Sequence, residues 1–163
     1  MYEKKPVSME TSVTPKRFKT FLYQSDIVWT KDKSGTLSVE DGRSLRVSAP
    51  PEFKGEPGLW TPEDFFLASV SVCLMTTFMS LASRAKLTVR SYRDSSEGML
   101  EFAGSRYQFT RIILKPEIEV GSDEEIAGAE EVIRQAHEHC LSANSIKSEV
   151  EVRAGVRSQR PKE

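Results

Sequence analysis

One stretch limits the folds open to this chain more than any other: residues 61–86, TPEDFFLASVSVCLMTTFMSLASRAK. Thr61 suits a helix N-cap, where its hydroxyl accepts a free backbone N–H of the first turn. Pro62 fits the first helical position, where a missing N–H costs nothing. Glu63 and Asp64 match the positive end of the helix dipole, and Arg84 and Lys86 the negative end. From Phe65 to Ala85 apolar and small residues go round every face, so the helix is expected to be buried on all sides. A membrane span approaches this length, but Ser69, Ser71, Thr76, Thr77, Ser80 and Ser83 interrupt it, and nothing else in the chain is comparably apolar. Such a helix needs walls of protein, for which a partner chain is one source. Cys73 lies in the same segment. A thiol there is either a small core hydrophobe or part of a site built inside a core.

The 163 residues suffice for one domain with a real core. A net charge of −1 argues against the basic footprint of a nucleic-acid binder or a polybasic membrane patch. The opening MYEKKPVSMETSVTPKR holds no apolar run of a secretory signal, so a cytoplasmic protein is expected. Disulfides there are usually transient, catalytic or redox-sensing. The two cysteines, Cys73 and Cys140, therefore raise a redox question. They lack CxxC spacing and suggest neither a thioredoxin-like motif nor a zinc ribbon. No metal or cofactor site is expected, and there is no glycine-rich phosphate loop.

Residues 1–16 read as loosely ordered, residues 17–157 as one domain and residues 158–163 as a solvated tail. Aromatic and β-branched residues predict a strand over 17–30. A hairpin is predicted from strands at 36–39 and 44–48, joined through Asp41-Gly42. Residues 49–60, with three prolines and two glycines, form a loop. Strands follow at 87–93, 99–103 and 107–120, with Pro116 marking an edge or bulge in the last. A second helix covers 123–139, capped by Ser122. Its core face is Ile126, Ala129, Ile133, Ala136 and Cys140. A final strand spans 148–156. The expected class is α+β: an antiparallel sheet, one buried central helix and one amphipathic helix.

Two motifs then resemble a known family. Gly58-Leu59-Trp60-Thr61-Pro62-Glu63-Asp64, with Cys73 ten residues after the glutamate, is similar to the OsmC/Ohr family (osmotically inducible protein C and organic hydroperoxide resistance protein). So is Ala136-His137-Glu138-His139-Cys140-Leu141-Ser142-Ala143-Asn144-Ser145-Ile146. The resemblance covers roughly residues 20–157. It implies an OsmC-like fold, an intertwined homodimer and a stress-response peroxidase acting on organic hydroperoxides. By position Cys73 is the peroxidatic cysteine, Cys140 the resolving one, and Glu63 the glutamate that holds an arginine over the thiolate. A cellular dithiol such as a dihydrolipoyl group would be the reductant. The family's arginine positions carry Glu52 in one branch's alignment and Lys31-Asp32-Lys33-Ser34 in the other's. The basic partner is thus sought among Lys31, Lys33, Arg43 and Arg46. Leu141 stands where many peroxidatic members have proline.

The residue types suit this chemistry. A thiolate is the nucleophile, and a buried one needs a cation or hydrogen-bond donors to form near neutral pH. Phe65, Phe66, Met75 and Phe78 are candidates for an apolar pocket favouring organic peroxides. Ten helical residues span ~15 Å, so Glu63 cannot touch Cys73 of the same straight helix. If both serve one site, Glu63 comes from the partner chain or acts through an arginine. His137 and His139 point apart on a helix and are expected to be surface residues, not metal ligands. The competing expectations are a binding module with a small apolar ligand and idle thiols, or a purely structural dimer. A basic side chain at the Cys73 sulfur would favour the peroxidase; an open cavity would separate the other two.

Overall fold

The computed structural model describes residues 18–158. The expectations for residues 1–16 and for most of the tail lie outside them. The elements in order are β1 (Ser25–Lys31), β2 (Ser34–Val39), β3 (Ser44–Ser48), a 3-10 turn (Pro51–Phe53), α1 (Pro62–Arg84), β4 (Val89–Asp94), β5 (Glu97–Ala103), β6 (Arg106–Leu114), β7 (Pro116–Val120), a second 3-10 turn (Asp123–Glu125), α2 (Ile126–Glu138), α3 (Leu141–Asn144), β8 (Glu149–Val152) and β9 (Gly155–Ser158). The class is α+β, as the sequence predicts.

Helix α1 starts where its capping chemistry says it should. Thr61 Oγ1 accepts the Asp64 N–H at 3.1 Å, and Asp64 Oδ2 accepts the Thr61 N–H at 2.9 Å. This reciprocal box satisfies two donors that a bare helix end leaves unpaired. Thr61→Ala is expected to cost about 1 kcal/mol, seen as a lower urea midpoint with an unchanged slope. The helix stops at Arg84, short of Lys86, which takes a left-handed φ of 58° and turns the chain into β4.

The strands form three sheets of three, β1-β2-β3, β4-β7-β9 and β5-β6-β8. Two features differ from the expected single antiparallel sheet. The predicted strand 107–120 is broken at Lys115, and β6 and β7 serve different sheets. Pro116 has no N–H to give a ladder, and the Lys115 N–H is taken by Asp94 Oδ1 at 2.8 Å. The predicted strand 148–156 divides in the same way into β8 and β9, which pair parallel with β6 and β7. Each long strand thus crosses between sheets beside the other, with the Arg153 N–H bonded to Leu114 O across the step.

The core lies between α1, α2 and the C-terminal sheets. Val70, Leu74, Phe78 and Ala82 recur every four residues along α1 and are buried against Ile112, Leu114, Ile118 and Val120. Ala129, Val132, Ile133 and Ala136 of α2 close the other side. This is one stripe of α1, not its whole circumference. Val72 is 54% exposed, and Ser69, Thr76 and Ser83 are exposed beside it. The sheets and α2 of one chain cover only one side of the helix. Nor does β1 bury any residue; Ile27, Val28 and Trp29 are each more than 60% exposed.

Candidate functional site

Cys73 lies in the middle of α1, on the flank between its buried stripe and its exposed face. Cys140 follows the end of α2 and occupies the N-cap of the short α3. Packing of α1 on α2 and α3 brings these residues, distant in sequence, near enough for each to shift the other's pKa. Both are free thiols. The Cys140 sulfur is fully buried and points to the Val70 carbonyl at 3.9 Å. The Cys73 sulfur is half-buried and accepts the Ser142 N–H at 3.5 Å.

These surroundings set the two thiols apart. Burial by itself would push Cys73 up. The Ser142 N–H, the Cys140 thiol, the Ser142 hydroxyl and the Leu141 N–H together outweigh burial, so its pKa falls below the ordinary thiol value. Leu141 can donate because it is not a proline. Cys140 is pushed up to about 11, by burial first and then by the neighbouring Cys73. One sulfur is thus disposed to be a thiolate nucleophile and the other to remain a protonated thiol.

The other sequence-selected residues lie elsewhere in the single chain. Arg43 is held by Asp41, with Nε 2.9 and 2.7 Å from its carboxylate oxygens. Arg46 grips Glu56 at 3.0 and 2.9 Å, and Lys31 lies 3.8 Å from the same carboxylate. Lys33 donates to Phe53 O at 2.5 Å. Among the described residues, the groups that act on Cys73 include no lysine or arginine. Glu63 does not reach Cys73 either; its Oε2 is buried without a hydrogen-bond partner. Phe65 stacks on Trp60 at 5.7 Å, and with Ile27 and Trp29 it lines an apolar cavity of about 500 Å³ under the first sheet. Phe66 stacks on Phe109 at 4.8 Å, and Met75 is half-buried. Phe78 is a correction to the expected pocket: wholly buried and 5.6 Å from the Tyr92 ring, it is part of the core.

Sequence reading missed three contributors. Ser142 carries no signal of its own, because its role is a backbone contact made across the fold. Asp94 accepts the Ser71 and Ser96 hydroxyls as well as the Lys115 N–H, tying α1 two residues before Cys73 to the strand break. Tyr92 has a buried hydroxyl with no partner, and its pKa is raised by burial first, then by Asp94 and Cys140. Strict alternation from Leu87 and Val89 would turn it outward; the register shift between Val89 and Ser91 brings it to the inner face. The two histidines do not share a partner: His139 Nδ1 lies 2.8 Å from Gln135 O, whereas His137 Nδ1 is buried and unpaired. Among the described residues no three His, Cys, Asp or Glu side chains gather as metal ligands.

Known proteins share this fold. The family model described as OsmC-like protein matches residues 55–154. The uncharacterized protein YmaD of Bacillus subtilis is 23% identical over 129 residues, which cover 76% of this chain and 85% of YmaD. An OsmC-like protein of unknown function from Vibrio cholerae superposes with a TM-score of 0.76 at 24% identity, covering 85% of this chain and 100% of that one. An organic hydroperoxide resistance protein OsmC from Legionella pneumophila gives 0.65 at 23% identity, covering 85% and 98%.

Proposed function

Because this chain belongs to the OsmC-like family, we propose that it is a thiol-dependent peroxidase that reduces organic hydroperoxides as a cytoplasmic homodimer. The observation that carries this reading is the pair of neighbouring free thiols, one lowered by N–H donors and the other raised by burial. The Cys73 thiolate attacks the terminal oxygen of R–O–OH. The O–O bond breaks, Cys73 becomes a sulfenic acid, and the alkoxide leaves and takes a proton to give ROH. The Cys140 thiol then attacks the Cys73 sulfur. Water leaves and a Cys73–Cys140 disulfide remains. A dithiol of the dihydrolipoyl type reduces it through a mixed disulfide and is itself oxidised to a disulfide.

The dimer is supported by the surface that the single chain leaves open. Helix α1 is long and apolar enough to cross a membrane. Its hydroxyl-bearing exposed face and the unburied apolar side of β1–β3 are instead read as the surfaces that a second copy covers. The ~15 Å separation along one helix keeps Glu63 from the Cys73 of its own chain, so the partner's α1 would supply the glutamate near each thiol pair unless an arginine bridges the two. The binding-module reading is favoured by one observation: among the described residues, no cation is one of the groups acting on Cys73. Free-thiol counting by mass spectrometry separates the two readings. With one equivalent of cumene hydroperoxide, both thiols are expected to vanish as one intramolecular disulfide. Two intact thiols after minutes would sink the peroxidase reading and leave the binding module.

A further inference from the structure

A thiolate set into a protein needs either a cation or hydrogen-bond donors to hold its charge. Around Cys73 the described residues supply donors. The Ser142 N–H donates to the Cys73 sulfur at 3.5 Å. The Leu141 N–H lies one residue earlier in the same turn and bonds to no backbone carbonyl elsewhere among the described residues. Both belong to the start of the four-residue α3, where the first N–H groups have no partner within the helical turn itself. These two amides, the Ser142 hydroxyl and the Cys140 thiol are the groups that lower Cys73 against its burial. The cations considered for that role are held elsewhere: Arg43 by Asp41, Arg46 and Lys31 by Glu56, and Lys33 by the Phe53 carbonyl. The titratable groups of the neighbouring elements have other partners. Tyr92 and Asp94 of β4 act on Cys140 and on the Ser71 hydroxyl, and His139 lies on the Gln135 carbonyl of its own helix.

We propose that the turn at residues 140–142 activates the Cys73 of its own chain: its backbone N–H groups hold the thiolate charge where a guanidinium would otherwise stand, and no lysine or arginine is required. As an account of a peroxidase's nucleophile this rests on the reading above, but the ionisation of Cys73 itself needs no peroxide. The Cys73 thiol gives its proton to water, and the sulfur then accepts from fixed dipoles that need not reorganise. Successive N–H groups of one turn form a small concavity that suits an anion. Residue 141 therefore matters through its backbone. The Leu141 side chain is 78% exposed and bears little of the fold. Proline there would keep the turn and remove one donor. Its ring suits the first position of α3, and Cys140 before it is already extended, at φ −68° and ψ 110°. The same turn carries Cys140, so one element places both the activator and the resolving thiol.

The pH profile of Cys73 alkylation by iodoacetamide tests this, followed at that residue by mass spectrometry on the reduced full chain. In wild type the midpoint is expected below the ordinary thiol value of about 8.5. Leu141→Pro is expected to raise it by about one pH unit, the effect of losing one hydrogen bond to a charged group. The plateau at high pH should not fall, since a thiolate of higher pKa is no weaker a nucleophile. Leu141→Ala, which keeps the N–H, is expected to leave the midpoint at the wild-type value. Glutamine at Lys31, Lys33, Arg43 or Arg46, one at a time, is expected to do the same. A wild-type midpoint at or above the ordinary value would overturn the proposal, and so would an unmoved midpoint in Leu141→Pro, whatever its plateau. A rise of about one unit on loss of any of the four cations would also overturn it and place that cation at Cys73 from the partner chain. If cumene hydroperoxide leaves both thiols intact while Leu141→Pro still raises the midpoint, the peroxidase reading fails and the activating turn stands.

Discussion

Cys73→Ser is expected to abolish peroxide consumption, a loss on the order of 10⁴-fold or more, because a serine hydroxyl does not ionise near neutral pH. The substitution removes one sulfur and keeps the side-chain volume, and the half-buried position bears little of the core. Stability should therefore hardly change. Cys140→Ser is expected to behave differently. The first equivalent of peroxide is still consumed, Cys73 stops at the sulfenic acid, and dimedone labels it; later turnovers fail because no disulfide forms. The pH profile follows from the two environments. Since the Cys73 pKa is lowered, the wild-type rate holds below the pH at which a free thiol loses reactivity and declines as pH drops through the Cys73 value. Cys140, at about 11, remains a thiol throughout that range. Equal consumption by Cys73→Ser and wild type, measured in a stopped-flow assay with cumene hydroperoxide, would rule out Cys73 as the nucleophile.

Val72→Arg is expected to break the proposed dimer. Val72 is 54% exposed in the single chain and shares the open face of α1 with Met79, at 36%. An arginine there is solvated in a lone chain but becomes a buried, unpaired charge between two helices. One such charge costs about 3–5 kcal/mol, and a two-fold interface carries it twice. That exceeds what most interfaces of this kind can lose. Light scattering should fall from twice the chain mass to the chain mass. Far-ultraviolet circular dichroism should keep the α1–α2 helical signal, since Val70, Leu74, Phe78 and Ala82 face the other way. Peroxide consumption should fall as well if the partner completes each site. A dimer of undiminished activity would refute the assignment of this face as the interface.

Much of the fold was legible in the sequence because its signals are local. Thr61, Pro62, Glu63 and Asp64 specify a helix start by their own hydrogen-bonding, and the capping box is found there. The β2–β3 hairpin follows from Asp41-Gly42, with Gly42 at a φ of 85° that other residues resist. The core face of α2 follows from spacing alone, and Ala129, Ile133 and Ala136 are buried as it requires. Where the sequence misled, the reason lies beyond any local window. Residues 107–120 have strand composition throughout, and nothing within them shows that Asp94, on another strand, will take the Lys115 N–H and let the chain change sheets. The parallel pairing of β8 and β9 depends on the same step.

The candidate site divides along the same line. Two cysteines set in two motifs identified the thiols and the family. Composition could not say which thiol ionises, because that depends on the Ser142 and Leu141 N–H groups and on burial, both set by docking α3 against α1. Nor could it say which cations are spent elsewhere, since Arg46 and Lys31 meet Glu56 only once the loop before α1 folds back on the hairpin. Residue type and short spacing specified the helices, their caps, the hairpin and the two motifs that hold the cysteines. Folding alone set the sheet crossings, the nearness of the thiols, their opposite pKa shifts and the unpaired Glu63, because each depends on groups far apart in the chain sharing one low-dielectric space.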